Sequence, residues 1–331
     1  MTVSNVLRPK DNTGRRLFTE KTARRVRKAA EKLGYLPNRA ARAMRTHQTG
    51  VVGFVAANFA EETHTVENVG VHPFLVGLNH VLTPTGRHVA FVELKELELG
   101  KSVQLPDALR ENFFDALVVH YGLSQRALGL LQRSGIPLIY WDSGLFHKEN
   151  CVYRDEFEVG RVATRRLLDL GHRQIAFAGG RGSWSKYQAG EPIHYSFVGR
   201  YEGYVAALKA QGLQPFVLLD YDVQGLADQI VRGGITGVVV QTTYMAILRA
   251  AFQLGKRVPQ DISVLACDLE SSVPDRGDMA GGVRYKRYDA GRIVGELLLK
   301  RMATGGQPVP SVRLPIEIAD GSTSAPISTP I

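Results

Sequence analysis

The sequence holds little that would tie it to an oxidising compartment, a membrane or a reaction. Two cysteines, Cys151 and Cys267, serve 331 residues. They lie far apart and show no metal-ligand spacing, so neither a disulfide framework nor a metal site is implied and a reduced, cytoplasmic setting is expected. No apolar run approaches the roughly 20 residues of a membrane span, and the opening "MTVSNVLRPK" lacks the apolar core of a secretory signal. None of the nine histidines falls in an H-E-x-x-H spacing, and no G-x-S-x-G elbow occurs. The glycine-rich "GGRGSW" at 179–184 lacks the Lys-Ser/Thr ending of a phosphate loop and reads as a strand-to-loop turn. No enzyme, cofactor or metal is therefore expected.

What is present is a core and an uneven charge. A 44% hydrophobic content can fill a packed interior, and the length suits about two domains. The net charge of +9 is local: residues 1–50 hold 13 Lys/Arg against 3 Asp/Glu, and the other 281 residues hold 28 against 29. A basic segment joined to a neutral body points to a polyanionic partner. Within that segment "TEKTARRVRKAAEKL" (19–33) is predicted as a helix. Thr19 is its N-cap, Gly34 its stop, and Ala23, Val26, Ala30 and Leu33 form one apolar stripe.

From residue 50 onward short apolar runs alternate with helix-length amphipathic segments. The runs are 51–57, 88–94, 116–120, 137–141, 174–180, 237–241 and 262–268. Helices are predicted near 74–83, 124–133, 158–170, 197–211, 225–232, 243–254 and 289–302. Such alternation implies an α/β fold, parallel sheets covered by helices on both faces, with ligands bound at the carboxyl ends of strands. The closing "STSAPISTPI" reads as a loosely held terminus.

Several stretches, in order, resemble one family, the bacterial transcription regulators typified by the lactose and galactose repressors. "TVSNVL" resembles the recognition helix of a helix-turn-helix. "EKTARRVRKAAEKLGYLPNRAARAMRT" resembles the third headpiece helix and the hinge helix. "TGVVGFV" and "HPFLVGLNHVLTPTGRHVAFVEL" resemble the first βα unit of the effector domain. "VGRVATRRLLDLGHRQIAFAGG", "LGKRVPQDISVLACD", "YDAGRIVGELLLKRM" and "LPIEIADGSTS" resemble its later parts. The resemblance implies a partial all-α DNA-binding headpiece over 1–36 and a hinge helix and linker over 37–49. It also implies a periplasmic-binding-protein-like effector and dimerisation domain over 50–331. That domain would divide into two Rossmann-like subdomains. The first takes about 50–151 plus part of 283–331, and the second about 152–282.

On the DNA side the resemblance points to Thr2, Val3, Ser4 and Asn5 in the major groove. Asn38, Arg39, Arg42 and Arg45 would lie along the minor groove, with Met44 as the apolar wedge. A short isolated helix is marginal in water, which suits an element that orders only on DNA. The family's first headpiece helix has no counterpart in this sequence, which implies either a start upstream of Met1, the expectation favoured, or a form with a defective headpiece. On the ligand side it points to Arg200 in "GRYEGY" and to Asp268 at the end of "ISVLACD". An arginine fork and a carboxylate suit a polyhydroxylated ligand. Phe74, Trp141, Asp142, Asp155 and Trp184 are further candidates, Trp184 on the loop after "FAGGRGS". The family's acidic "A-N-D" position reads Gln241–Thr243 here, which implies a different effector.

The expected function is a ligand-responsive repressor of carbohydrate-related genes. Its partners would be operator DNA, a sugar or sugar-derived effector, and a second copy of itself as a dimer or within a tetramer, with no membrane. The rival is an extracytoplasmic-type sugar-binding protein, or an effector-binding regulator without DNA binding. The extracytoplasmic protein would need an export signal and would have no use for the basic segment.

Overall fold

The computed structural model describes residues 6–7, 19–35, 43–44, 46, 48–57, 71–94, 96–97, 102–103, 106–111, 113–191, 193–219, 222–241, 244–270, 280–319 and 321–327. Its helices are α1 (Glu20–Lys32), α2 (Val71–Leu82), α3 (Asp107–Arg110), α4 (Gln125–Arg133), α5 (Glu156–Asp169), α6 (Arg181–Ala189), α7 (Tyr195–Lys209), α8 (Val223–Arg232), α9 (Tyr244–Gln253) and α10 (Arg287–Ala303). Its strands begin with β1 (Val51–Ala57), β2 (His88–Leu94), the short antiparallel pair β3 (Glu96–Leu97) and β4 (Ser102–Val103), β5 (Ala116–Val119), β6 (Leu138–Trp141) and β7 (Cys151–Tyr153). They continue with β8 (Ile175–Ala178), β9 (Phe216–Leu218), β10 (Gly237–Val240), β11 (Ser263–Glu270), β12 (Gly281–Tyr285), β13 (Val312–Arg313) and β14 (Glu317–Ala319).

Helix α1 ends where its capping residues dictate. The Thr19 side chain accepts the N–H of Thr22 at 3.3 Å, and Gly34 adopts φ 61°, a conformation that glycine enters without a Cβ clash. Its apolar stripe is filled at one end only: Ala23 is buried, while Leu33 is 79% exposed.

The strands form two six-stranded sheets, ordered β13-β7-β6-β5-β1-β2 and β14-β12-β11-β10-β8-β9. All neighbours are parallel except β12 and β14. Every residue of β5, β6, β8 and β10 is buried, which explains their unbroken apolar runs. On the first sheet, Val52 and Phe54 meet Leu78 of α2 and Val294 of α10, and on its other face Val55 and Leu117 meet Leu131 of α4. On the second, Phe177 and Leu265 meet Leu167 of α5 and Tyr204 of α7, while Val240 and Val264 meet Ile230 of α8 and Ile247 of α9.

One helix pair on each sheet is in backbone contact. A Cβ on Gly160 of α5 would sit 1.9 Å from the Arg200 carbonyl oxygen, and one on Gly203 of α7 would sit 2.0 Å from that of Phe157. The first sheet repeats the device: Gly77 of α2 faces the Tyr288 carbonyl and Gly291 of α10 faces that of Phe74, each at 2.0 Å.

The chain passes between the sheets three times, at 154–155 after β7, at Lys286 after β12, and at 314–316 between β13 and β14. Two expectations are corrected. The segment "RGSWSKYQA" is helix α6 rather than loop. The end of the chain is pinned through Ile327 rather than loose. The Thr323 carbonyl accepts the N–H of Val264 at 2.7 Å, Ala325 O lies 3.1 Å from His172 Nε2, and Ile327 N–H donates to Leu170 O at 3.0 Å.

Candidate effector site between the two sheets

The carboxyl ends of both sheets converge on one cleft, as doubly wound sheets require. The first sheet brings His120 after β5, Asp142 after β6 and Arg154 after β7. The second brings Gln241 after β10, Asp268 within β11 and Tyr285 at the end of β12. Helix α7 adds Arg200 from its second turn.

These residues form a buried charged network. Glu156 Oε1 accepts Arg154 Nε at 3.0 Å, and Oε2 accepts Arg154 Nη2 at 3.2 Å and Arg200 Nε at 2.6 Å. One oxygen of Asp268, Oδ2, faces three guanidiniums: Arg287 at 2.7 Å, Arg200 at 3.3 Å and Arg154 at 3.5 Å. Burial pushes the Asp268 carboxyl up, but Arg287, Arg154 and Arg200 outweigh it and hold the group well below the usual carboxylate range. Beneath them the buried Cys267 thiol is pushed up to about 12 by desolvation. The Arg154 and Arg287 guanidiniums each lie 4.3 Å from the centroid of the Tyr285 ring, within cation–π range.

The network is not closed. Among the described residues, four buried side-chain polar atoms have no hydrogen-bond partner: Arg87 Nε, Arg154 Nη1, Gln241 Oε1 and Asp268 Oδ1. The last three belong to residues of this cleft. Buried polar atoms cost free energy when unpaired, so their gathering here marks the surface a ligand would complete.

A second cluster bridges the cleft. The Tyr195 hydroxyl, at the start of α7, donates to Asp142, which holds φ 48°, a left-handed conformation that aspartate tolerates better than most. His194 caps α7 by accepting the N–H of Ser196 at 3.2 Å, and its ring lies 4.0 Å from that of Tyr121. Burial lowers the pKa of His120 and of His194, which keeps both neutral at pH 7.

The structure brings Arg200 and Asp268 together and sets Asp142 across the cleft from them. Four other expected contacts lie elsewhere or are already engaged. Phe74 is fully buried under α2, and Trp141 is 1% exposed. Trp141 stacks on Phe74 with centroids 3.5 Å apart and on His120 at 4.6 Å, so its ring has no open face for a sugar. Asp155 caps α5 by accepting the N–H of Glu158 at 3.0 Å and pairs with Arg313 at 2.9 Å. Trp184 sits on α6, packed against Tyr201 at 5.0 Å and Tyr187 at 5.7 Å. Sequence reasoning missed Arg154, Glu156, Tyr285 and Arg287. A charged "YRDEF" directly after an apolar run was the signal for the first two.

On the DNA side, Thr2, Val3, Ser4, Asn5, Asn38, Arg39, Arg42 and Arg45 lie outside the described residues. Met44 is 82% exposed and lines a groove of about 900 Å3 with Phe113, Phe114 and Met302. This groove lies at the amino ends of the first sheet, away from the charged network. Beside it the Asp115 carboxylate accepts the backbone N–H groups of Thr49 (2.6 Å) and Gly50 (2.9 Å) and the Thr49 hydroxyl (2.9 Å), fixing the chain as it enters β1.

Comparison with known proteins agrees with this architecture. Residues 164–324 match the periplasmic binding protein-like domain. The chain is 29% identical over 338 residues to the HTH-type transcriptional regulator CelR of Thermobifida fusca, covering 96% of this chain and 91% of that protein. A structure of a lac repressor dimer bound to operator and the anti-inducer ONPF superposes with a TM-score of 0.73 at 19% identity, over 98% of this chain and 94% of that one. A CelR–cellobiose complex superposes with a TM-score of 0.64 at 20% identity, over 97% and 94%. With the ordered motifs along its length, its two wound sheets and these likenesses, the chain is similar to transcription regulators of the lactose and galactose repressor type, and its residues 164–324 form a periplasmic binding protein-like domain.

Proposed function

We propose that the protein is a cytoplasmic, dimeric repressor of carbohydrate-related genes whose affinity for operator DNA responds to a polyhydroxylated effector in the cleft. The observation that carries the ligand side is the set of unpartnered atoms Asp268 Oδ1, Gln241 Oε1 and Arg154 Nη1. Two acceptors and one donor suit hydroxyl groups, which donate and accept. The neighbouring structure described as a CelR–cellobiose complex supports trying that sugar first. The DNA side rests on the basic first 50 residues joined to a near-neutral body. There Thr2, Val3, Ser4 and Asn5 would read bases, with Asn38, Arg39, Arg42, Met44 and Arg45 as the hinge. On this reading residues 1–36, 37–49 and 50–331 serve as headpiece, hinge and effector domain.

The test is thermal melting against neutral sugars headed by cellobiose, followed by calorimetry. A ligand at 100 times its Kd stabilises the native state by about 2.7 kcal/mol. At least one sugar is expected to raise the melting temperature, and Asp268→Asn is expected to remove the shift. A panel with no effect, or an Asp268→Asn protein that keeps the full shift, counts against the assignment.

A further inference from the structure

We propose that Tyr285 is a positioning residue that couples the Asp268 carboxylate to the angle between the two subdomains, acting through Arg154 and Arg287. The proposal rests on the effector reading of the cleft and adds how occupancy there reaches the first subdomain. Tyr285 closes β12 of the second sheet, and Arg287 opens α10, which packs on the first; only Lys286 separates them. Arg154 lies in another of the passages between the sheets. Both guanidiniums lie over the Tyr285 ring, and both reach the same oxygen of Asp268. Two of the three passages are thus tied to one ring and one carboxylate.

The carboxylate has two sides. Oδ2 holds the guanidiniums, while Oδ1 is buried and unpartnered. A hydroxyl donated to Oδ1 fixes rotation of the carboxylate and so fixes Oδ2 among the guanidiniums. From there the contacts continue into the first subdomain. The Tyr285 oxygen accepts the indole N–H of Trp141 at 3.2 Å, and Trp141 stacks on Phe74 of α2. Ligand at Oδ1 therefore favours the described angle over others, which is a population shift with a defined physical element.

The test uses the full chain and no effector. Trp184→Phe leaves Trp141 as the one tryptophan, since the sequence has two. In that background Arg287→Ala, Asp268→Asn, their double variant and Tyr285→Phe are compared by Trp141 emission and by backbone hydrogen exchange, with circular dichroism as the check on folding. Arg287→Ala and Asp268→Asn are each expected to red-shift Trp141 and to speed exchange at both 154–156 and 286–288 by about tenfold. The double variant is expected to do no more than either single one, because both act on one unit. Tyr285→Phe, the mildest change, is expected to alter Trp141 emission through loss of its acceptor. Wild-type emission and exchange in Arg287→Ala, or effects that add in the double variant, overturn the proposal. A sugar panel without binding overturns the effector reading and leaves these ligand-free readouts standing, so the two failures are told apart.

Discussion

Arg200 does two jobs at once. It faces the cleft, and it neutralises both Glu156 and Asp268 while 4% exposed. Arg200→Ala leaves Glu156 with one cation in a buried setting, and breaking such a pair costs about 3–5 kcal/mol. The expected result is a clear drop in melting temperature along with loss of ligand response; a variant that melts like wild type refutes the network. The histidines give a pH dependence. Burial lowers the pKa of His120, His172 and His194 from the ordinary 6.5. The unfolded chain then binds more protons below pH 6.5, so stability is full above that value and falls as pH drops through the lowered native pKa values. Melting scans from pH 8 to 5 check this, and a flat profile contradicts it. Asp268 and Arg200 were legible in the sequence because family motifs fix their register and an acid closing an apolar strand is conspicuous. Arg154 left only the faint mark of a charged stretch after an apolar run, and Arg287 left none, because nothing local tells a cation drawn into a cleft from a solvated one. Trp141 misled for a related reason: a strand-end aromatic reads the same whether it faces a ligand or two other rings.

At the scale of elements, the parallel strands were legible because burial on both faces turns them into continuous apolar runs. Helix α6 was hidden by glycines at 179, 180 and 182, which in sequence look like a loop and in the structure supply a turn and a helix start. The strands β7, β9 and β12 to β14 escaped notice because two to five residues carry too little pattern. The glycine contacts between helices yield a prediction. Gly160→Ala pushes a methyl group into the Arg200 carbonyl, a rigid backbone atom, so α5 and α7 must separate. Overpacking of this kind costs about 1–3 kcal/mol. Gly212→Ala is the contrast: φ 69° strains the backbone but no atom lies within 4 Å, so its cost is local and leaves Arg200 in place. Calorimetric melting separates the two, and weakened sugar binding is expected for Gly160→Ala alone.

Across the whole molecule the charge division and the Asp115 clamp set the expectations for DNA. The first 50 residues carry +10, so affinity for duplex DNA is expected to fall linearly in log–log form as salt rises. Fluorescence anisotropy across a salt series measures the slope, and a slope near zero contradicts a phosphate-binding role for that segment. Asp115→Ala removes the three bonds by which its carboxylate holds Thr49 and Gly50. It is expected to cost about 1–3 kcal/mol and to weaken the response of DNA binding to effector more than DNA binding itself. Parallel titrations with and without ligand check that split. The clamp was invisible in the sequence because Asp115 and Thr49 are 66 residues apart and meet only when β5 pairs with β1. The pinned tail has one more consequence. The chain enters at the strand starts of the first sheet, by Thr49, and its last described residues dock at the strand starts of the second, by Ser263 and His172. Since the cleft lies between the strand ends, these two attachment points stand at opposite poles. A fluorescent label placed at the exposed Pro326 would therefore report from the pole remote from Thr49, away from whatever the basic first 50 residues bind.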